Sequence, residues 1–211
     1  MTPETLLSTR LREDITWRIR ELSEIVRLCS EPRPLRREAA LRASVPVLYA
    51  YWEGYFVVAV NSYLSFVASK RLKLSALRNE FWLLSMRKRV RLQQLSSDRK
   101  LNDLLLEIRD DSDRAFKPGD YERIHAASNL KSDILEYCCG IVGLDYSAFA
   151  EYADFIDKEL IDKRNHIAHG SSLRFDAQSV GKYRDKVVEL MRITQTAIEN
   201  AVASCSFRKA S

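Results

Sequence analysis

The chain has 211 residues, 46% of them apolar, which suits one domain with extensions (1–211) and a sizeable core. Six glycines and five prolines make it turn-poor and argue against a many-stranded β architecture. Net charge is +5, yet residues 70–100 set ten basic side chains against Glu80 and Asp98, a local +8 that leaves −3 elsewhere and points to a polyanion, with a solvated helix face as the alternative.

Thr2-Pro3 reads as an N-cap followed by proline at the first helical position. The helix it opens carries Leu7, Leu11, Ile15, Ile19, Leu22 and Val26 on one face, up to about Cys29. Glu31-Pro32-Arg33-Pro34 ends it. A second run from near Leu35 through Ala68 is expected to bend or restart at Pro46, with Ser44 as a cap. Val45 to Ala68 is long enough to span a membrane, but Glu53 and Asn61 lie near its centre. A single central charge costs about 2.5–3.5 kcal/mol there. The expectation is a buried bundle helix and no membrane partner. Leu74 to Leu95 puts Leu77, Phe81, Trp82 and Leu84 inside and Arg87, Lys88, Arg89 and Arg91 outside.

Ser97 to Asp120 is the least regular part. Leu101 to Ile108 fits a short helix or a strand, and the acidic Asp110-Asp111-Ser112-Asp113 leads to a Pro118-Gly119 turn. Ser128-Asn129 is expected to cap a helix through about Ile141, stopped by Gly143. Asp145 opens a long helix, about 145–170, with Phe149, Ala153, Ile156, Leu160 and Ile167 as its stripe and Gly170 as its stop. The last helix runs from about Ser179 to Val202, with Tyr183, Val187, Leu190, Ile193, Ala197 and Val202 on its apolar side. The fold class is all-α, an elongated bundle of five to seven helices. The four cysteines (Cys29, Cys138, Cys139, Cys205) show no C-x-x-C spacing, and Met1 to Glu13 is too polar for a signal peptide. Free thiols in a reducing cytoplasm follow, with no metal and no cofactor expected.

Chemistry concentrates in Lys163-Arg164-Asn165-His166-Ile167-Ala168-His169-Gly170, which holds two of the chain's three histidines. On a helix, Arg164 has Leu160, Ile161, Ile167 and Ala168 as its surface neighbours, all apolar. A guanidinium there is costly unless something pairs with it or the stripe faces a partner. Glu53, the lone carboxylate of an apolar helix, is a candidate ion-pair partner. Asn165, His166 and His169 share a polar face, whereas Arg164 lies about 140° from His169 around the axis. Either the helix unwinds at Ala168–His169 or a second copy of the chain supplies the complement. The apolar surroundings of Arg164 favour the second copy. For His169 the bland alternative is a histidine stabilised by the helix dipole. His125 lies outside the motif and reads as a loop residue.

Arg-Asn-x-x-x-His followed by glycine at the end of a bundle helix resembles the R-x4-6-H motif of the HEPN superfamily, and the chain looks like its prokaryotic MAE-type nuclease branch. Tyr51-Trp52-Glu53-Gly54-Tyr55 and Asn129-Leu130-Lys131-Ser132 are similar to segments seen there, so the resemblance covers roughly residues 5–205. It implies a HEPN-like fold and a metal-independent endoribonuclease active as a homodimer, the motif residues of both protomers meeting in one cleft. Such chemistry uses the RNA's own 2′-OH and leaves 2′,3′-cyclic phosphate ends. The roles implied are His169 as general acid/base and Arg164 as the phosphate-stabilising cation. Asn165 would orient the histidine or the phosphate, with His166 and Glu53 auxiliary. Arg87, Lys88, Arg89 and Arg91 become candidate RNA contacts. Family members that pair with a nucleotidyltransferase carry a tyrosine two positions past the histidine; Ser171 stands here, so adenylylation of such a tyrosine is not supported. The function expected is an RNase toxin or effector of a prokaryotic toxin–antitoxin or defence system, with an antitoxin or defence protein as possible partner. The alternatives are a non-catalytic helical dimerisation module that binds nucleotide or protein, and an accessory subunit of a restriction system.

Overall fold

A computed structural model describes residues 1–93, 113–126, 129–171 and 175–209, and all of its regular structure is helical. Helix α1 spans Pro3–Leu28 and starts where its cap predicts, with Thr2 Oγ1 accepting from Thr5 N at 3.2 Å. Leu7, Leu11, Ile15 and Leu22 are buried along one face, and Arg18 is buried among them. Helix α2 spans Pro34–Ser69 without interruption. The break expected at Pro46 is absent, and Ser44 is no cap, because its hydroxyl donates back to the Leu41 carbonyl at 2.7 Å. Proline removes one backbone donor, but this helix is held by burial: Leu48, Tyr49, Trp52, Tyr55, Phe56, Ala59, Val60, Tyr63 and Leu64 all lie in the core. Among the described residues it is the one helix long and apolar enough to cross a membrane.

A 3-10 turn, Leu74–Ala76, precedes helix α3, Asn79–Gln93, whose Phe81 and Leu84 are buried as expected, as is Leu77 just before it, with Trp82 half-buried. Leu101 to Ile108, the acidic run to Ser112, Arg99, Lys100 and Ser128 fall outside the described residues. Where the chain resumes, Leu74 N donates to Arg114 O and Phe116 N to Leu72 O, at 2.9 and 2.8 Å. An extended strap follows. Asn61 grips Ile124 from both sides, Nδ2 donating to its carbonyl at 3.0 Å and Oδ1 accepting from its amide at 2.9 Å. Leu130 N then donates to the Tyr49 hydroxyl at 2.7 Å. The strap is therefore pinned to α2 at Asn61 and again at Tyr49, about 18 Å apart along the helix axis.

Helix α4 spans Ser132–Val142, so Asn129 lies outside it and does not cap it. The cap comes from elsewhere in the chain: Asp157 accepts from Ser132 N at 2.8 Å and from Ser132 Oγ at 2.6 Å. Gly143, at φ 72°, ends α4 as expected. Asp145 opens a helix, but a short one, α5, Ser147–Ala150. The single helix expected over 145–170 is instead α5, a turn, a π-helical stretch Phe155–Ile161, and helix α6, Asp162–Ala168. In a π-helix the hydrogen bonds run to the fifth residue, so the buried pairs Phe155–Ile156 and Leu160–Ile161 recur five apart and Ala153 leaves the core face. Helix α7, Ala177–Ala203, is capped by Asp176, which accepts from Ser179 N at 2.8 Å. It buries Val180, Val187, Leu190, Met191, Thr194, Ile198 and Ala201, leaving Ile193 and Ala197 half-exposed. Helices α1 and α7 pack on α2 and on each other, the π-helical stretch and α6 pack on α2, and α4 packs on α3.

Candidate active site

The motif sits on α6, and its end is set by Gly170. At φ 83° this residue takes a conformation that side chains with a Cβ disfavour. Gly170 N then returns to Ile167 O at 3.0 Å and Ser171 N to His166 O at 2.9 Å, the paired bonds of a left-handed helix stop. His169 still donates its amide to Asn165 O at 3.0 Å, so the helix does not unwind ahead of it. Both His166 and His169 present their side chains to solvent at this tip.

Arg164 points the other way, toward α2, and is half-buried. Its guanidinium carbon lies 4.8 Å from the centroid of the Tyr49 ring, and Nη1 donates to Asn165 Oδ1 at 2.7 Å. The negative face of the ring and the amide oxygen answer the cation within its own chain. That corrects the argument from its neighbours. Leu160 and Ile161 are buried, Ile167 is half-buried and Ala168 is exposed, so the apolar stripe around Arg164 is largely used up internally and does not by itself demand a second copy.

Tyr49 lies within the stretch Val45 to Ala68, for which the sequence suggested only a buried bundle helix. It is 1% exposed, and burial pushes its phenol up to about 12, so it stays neutral under Arg164. Glu53 follows one turn later on the same side of α2. Burial pushes its carboxyl above the ordinary range, and the Tyr49 hydroxyl and the Arg164 charge pull it back down. The Tyr49/Glu53 spacing of four was the available signal. Of the expected site residues, the fold thus joins Arg164, Asn165 and the influence of Glu53, and sets His166 and His169 in solvent. Lys163 is occupied differently, donating to Glu159 and to the Tyr183 hydroxyl and so fastening α6 to α7.

The Tyr51–Tyr55 segment divides between two jobs. Glu53 faces the motif. Gly54 makes room for Arg18, whose Nη1 would lie 3.0 Å from a Cβ added there. Arg18 is 8% exposed, bonds Asp14 Oδ2 at 2.9 Å and the Tyr51 carbonyl at 3.2 Å, and lies 4.6 Å from the Trp17 ring centroid.

Much of the basic segment is engaged internally. Lys70 meets Glu4, Arg78 meets Glu80, and Lys73 reaches Asp113 at 3.2 Å. Of the four candidate RNA contacts, Arg91 pairs with Glu122 at 2.7 Å, Lys88 donates to the Gly119 carbonyl, and Arg87 lies 5.6 Å from the Tyr137 ring centroid. Arg89 is half-buried. Among the described residues, no three His, Cys, Asp or Glu side chains gather as a metal site, and Cys29, Cys138 and Cys139 are buried free thiols.

No curated protein and no solved structure matches this chain. Among known families, residues 13–200 match the one described as RiboL-PSP-HEPN. The match reaches the superfamily that the motif suggested and specifies this branch of it, and it does not speak to the MAE type. Arg164, Asn165 and His169 lie within the matched span, as do Tyr49 and Glu53. The all-α bundle and the match over most of the chain's length agree, and the chain belongs to the HEPN superfamily, in its RiboL-PSP-HEPN family.

Proposed function

We propose that the chain is a metal-independent endoribonuclease that works as a homodimer, an RNase toxin or effector of a prokaryotic toxin–antitoxin or defence system. Membership of the HEPN superfamily supports an RNase-type or nucleotide-binding role at the coarse level. The observation that carries the finer reading is local. A guanidinium is seated on Tyr49 and tied to Asn165, five residues from a solvent-exposed histidine at a fixed helix end.

The chemistry that follows is transesterification. The substrate's 2′-oxygen bonds to the adjacent phosphorus, the bond from phosphorus to the 5′-oxygen breaks, and a 2′,3′-cyclic phosphate remains. His169 takes the proton from the 2′-OH or delivers one to the departing 5′-oxygen. Arg164 stabilises the charge that gathers on the phosphorane, and its seat removes the need to reorganise as that charge develops. Asn165 holds Arg164 in place through the 2.7 Å bond. Because Arg164 and His169 lie about 140° apart on one helix, the cleft is completed by a second copy, Arg164 of one protomer facing His169 of the other.

Degradation of RNA by purified protein in EDTA tests the activity, with Arg164→Ala and His169→Ala alongside. Undiminished cleavage by both variants sinks the site assignment. Mixing the two inactive variants tests the composite cleft, since a heterodimer then contains one site with both residues intact. Recovery to about a quarter of the native rate is expected after subunit exchange, because about half of the dimers are then heterodimers with one intact site of two, whereas no recovery places each site within one chain. Growth arrest on expression, relieved by His169→Ala, is the outcome for a toxin; intact dimers with no cleavage of any RNA favour the non-catalytic module.

A further inference from the structure

A groove of about 710 Å³ opens between α3, α4 and the strap, away from the motif tip. The strap alternates: Ile124 and Ala126 are buried, and Arg123 and His125 are exposed. This is the period-two pattern of an extended segment, and it puts Arg123 and His125 on one side. Asn61 fixes that register by bonding both backbone groups of Ile124. Across the groove, α4 presents Tyr137, a large aromatic residue left 49% exposed, and Arg87 of α3 lies over its ring. The floor between them is apolar, made by Leu84, Ile134 and Cys138. Among the described residues, Arg87, Lys88, Arg91 and Arg123 line the groove with one acid, Glu122, which Arg91 already pairs.

An apolar floor with an aromatic edge and a cationic rim suits a planar base with phosphates on either side. A duplex keeps its bases stacked inside and offers only its backbone, so the apolar part of this groove would stay unused. We propose that the groove seats an unstacked base of single-stranded RNA, an anchoring site separate from the motif. Tyr137 and Arg87 hold the base, and Arg91, Arg123 and His125 meet the flanking phosphates and sugar. The strap that forms one wall is pinned to α2 at Asn61, and again at Tyr49 beneath Arg164. The groove wall and the motif seat are thus held about 18 Å apart on one rigid helix. At about 3.4 Å per stacked nucleotide, that axial span corresponds to roughly five nucleotides of stacked strand, and to fewer of an extended one.

The inference rests on the ribonuclease reading for its substrate, and binding separates the two. The full chain carrying His169→Ala is titrated into a fluorescein-labelled single strand of about 12 nucleotides and into the same sequence as a duplex. Arg87→Ala, Arg123→Ala and Tyr137→Ala together are expected to weaken single-strand binding by about tenfold or more, and duplex binding by much less. Tyr137→Phe retains the ring and keeps most of the affinity, which a loss through misfolding would not predict. These side chains are exposed, and circular dichroism checks that each variant remains helical. Single-strand affinity unchanged in the triple variant overturns the proposal, whether or not the native protein cleaves RNA; a groove built for an acidic protein gives that result. Groove-dependent binding without cleavage by the native chain leaves the anchor standing and removes the ribonuclease.

Discussion

Arg18 and Arg164 both lay a guanidinium against α2 and over an aromatic ring, at 4.6 Å from Trp17 and 4.8 Å from Tyr49. Their surroundings differ in charge. Arg18 is nearly sealed from water, meets a carboxylate of its own helix at 2.9 Å and caps the Tyr51 carbonyl. Arg164 is half-open, meets a neutral ring and an amide oxygen, and acts on a Glu53 carboxyl that burial has made harder to ionise. A cation neutralised at close range holds a fold together. One seated on an aromatic face at a half-open helix end is, on the function proposed above, placed to meet an anion from solvent. The proposed function would give Arg164 the phosphate and leave Arg18 to stability, and both halves of that comparison can be broken.

The largest effect is expected from Arg164→Ala. Loss of an oriented cation at a developing negative charge typically costs about 10²–10³ in rate, so RNA cleavage should fall by that much while urea unfolding moves by about 1 kcal/mol or less. A variant that unfolds as readily as it loses activity would merge Arg164 with Arg18. Arg18→Ala should show the reverse. Leaving Asp14 without its partner costs about 3 kcal/mol by the measure of disrupted buried pairs, read by urea denaturation, with cleavage per folded molecule unchanged. Tyr49 gives an intermediate test. Tyr49→Phe keeps the ring under Arg164 and strands the buried Leu130 amide, at about 1–3 kcal/mol of stability, whereas Tyr49→Leu should also cut the cleavage rate. Equal rates in the two variants would show that the ring does not position Arg164. Gly54→Ala, pressed on Arg18 at 3.0 Å, sets an overpacking cost of about 1–3 kcal/mol against a helix-propensity gain of about 1 kcal/mol; a net loss of stability with activity unchanged is expected where the buried Arg18 cannot yield.

The smallest effect concerns pH. Glu53 has a raised carboxyl pKa in the folded state, mainly through burial. The folded protein therefore holds this proton more tightly than the unfolded chain does, and stability is lost as pH rises from the ordinary 4.5 through the raised value. Glu53→Gln removes that loss. Its stability relative to the native chain should rise, by a few tenths of a kcal/mol, between about pH 4 and pH 7. Glu159, lowered by Lys163 and Tyr183, works in the opposite sense but is common to both proteins and cancels in the difference. A flat difference across that range would show Glu53 to be fully solvated.

Legibility in the sequence followed the range of the interactions. Thr2, Asp145, Gly143 and Gly170 act within a few residues of themselves, and each was readable as a start or stop signal that the structure confirms. Pro46 misled because the cost of one missing donor is local, whereas the burial that outweighs it is spread along α2. The long helix misled because a constant 100° per residue was applied across a π-helical stretch. Within the site, the motif residues stood out by type and spacing, but the Tyr49 ring reaches Arg164 from more than a hundred positions away.

By itself the sequence determined the helical class, the cap at each well-marked end and the placing of an arginine, an amide and an exposed histidine at one helix terminus, since these depend on local backbone preference and residue chemistry. Only the tertiary structure decided what each charge faces. Asp157 caps a helix that it does not belong to, Asn61 and Tyr49 pin one strap at two points, and Arg164 rests on Tyr49 where its neighbours in sequence offered only apolar surface. The energy of a charge or a buried polar group is set by the atoms within a few ångströms of it, and the chain chooses those atoms only when it folds.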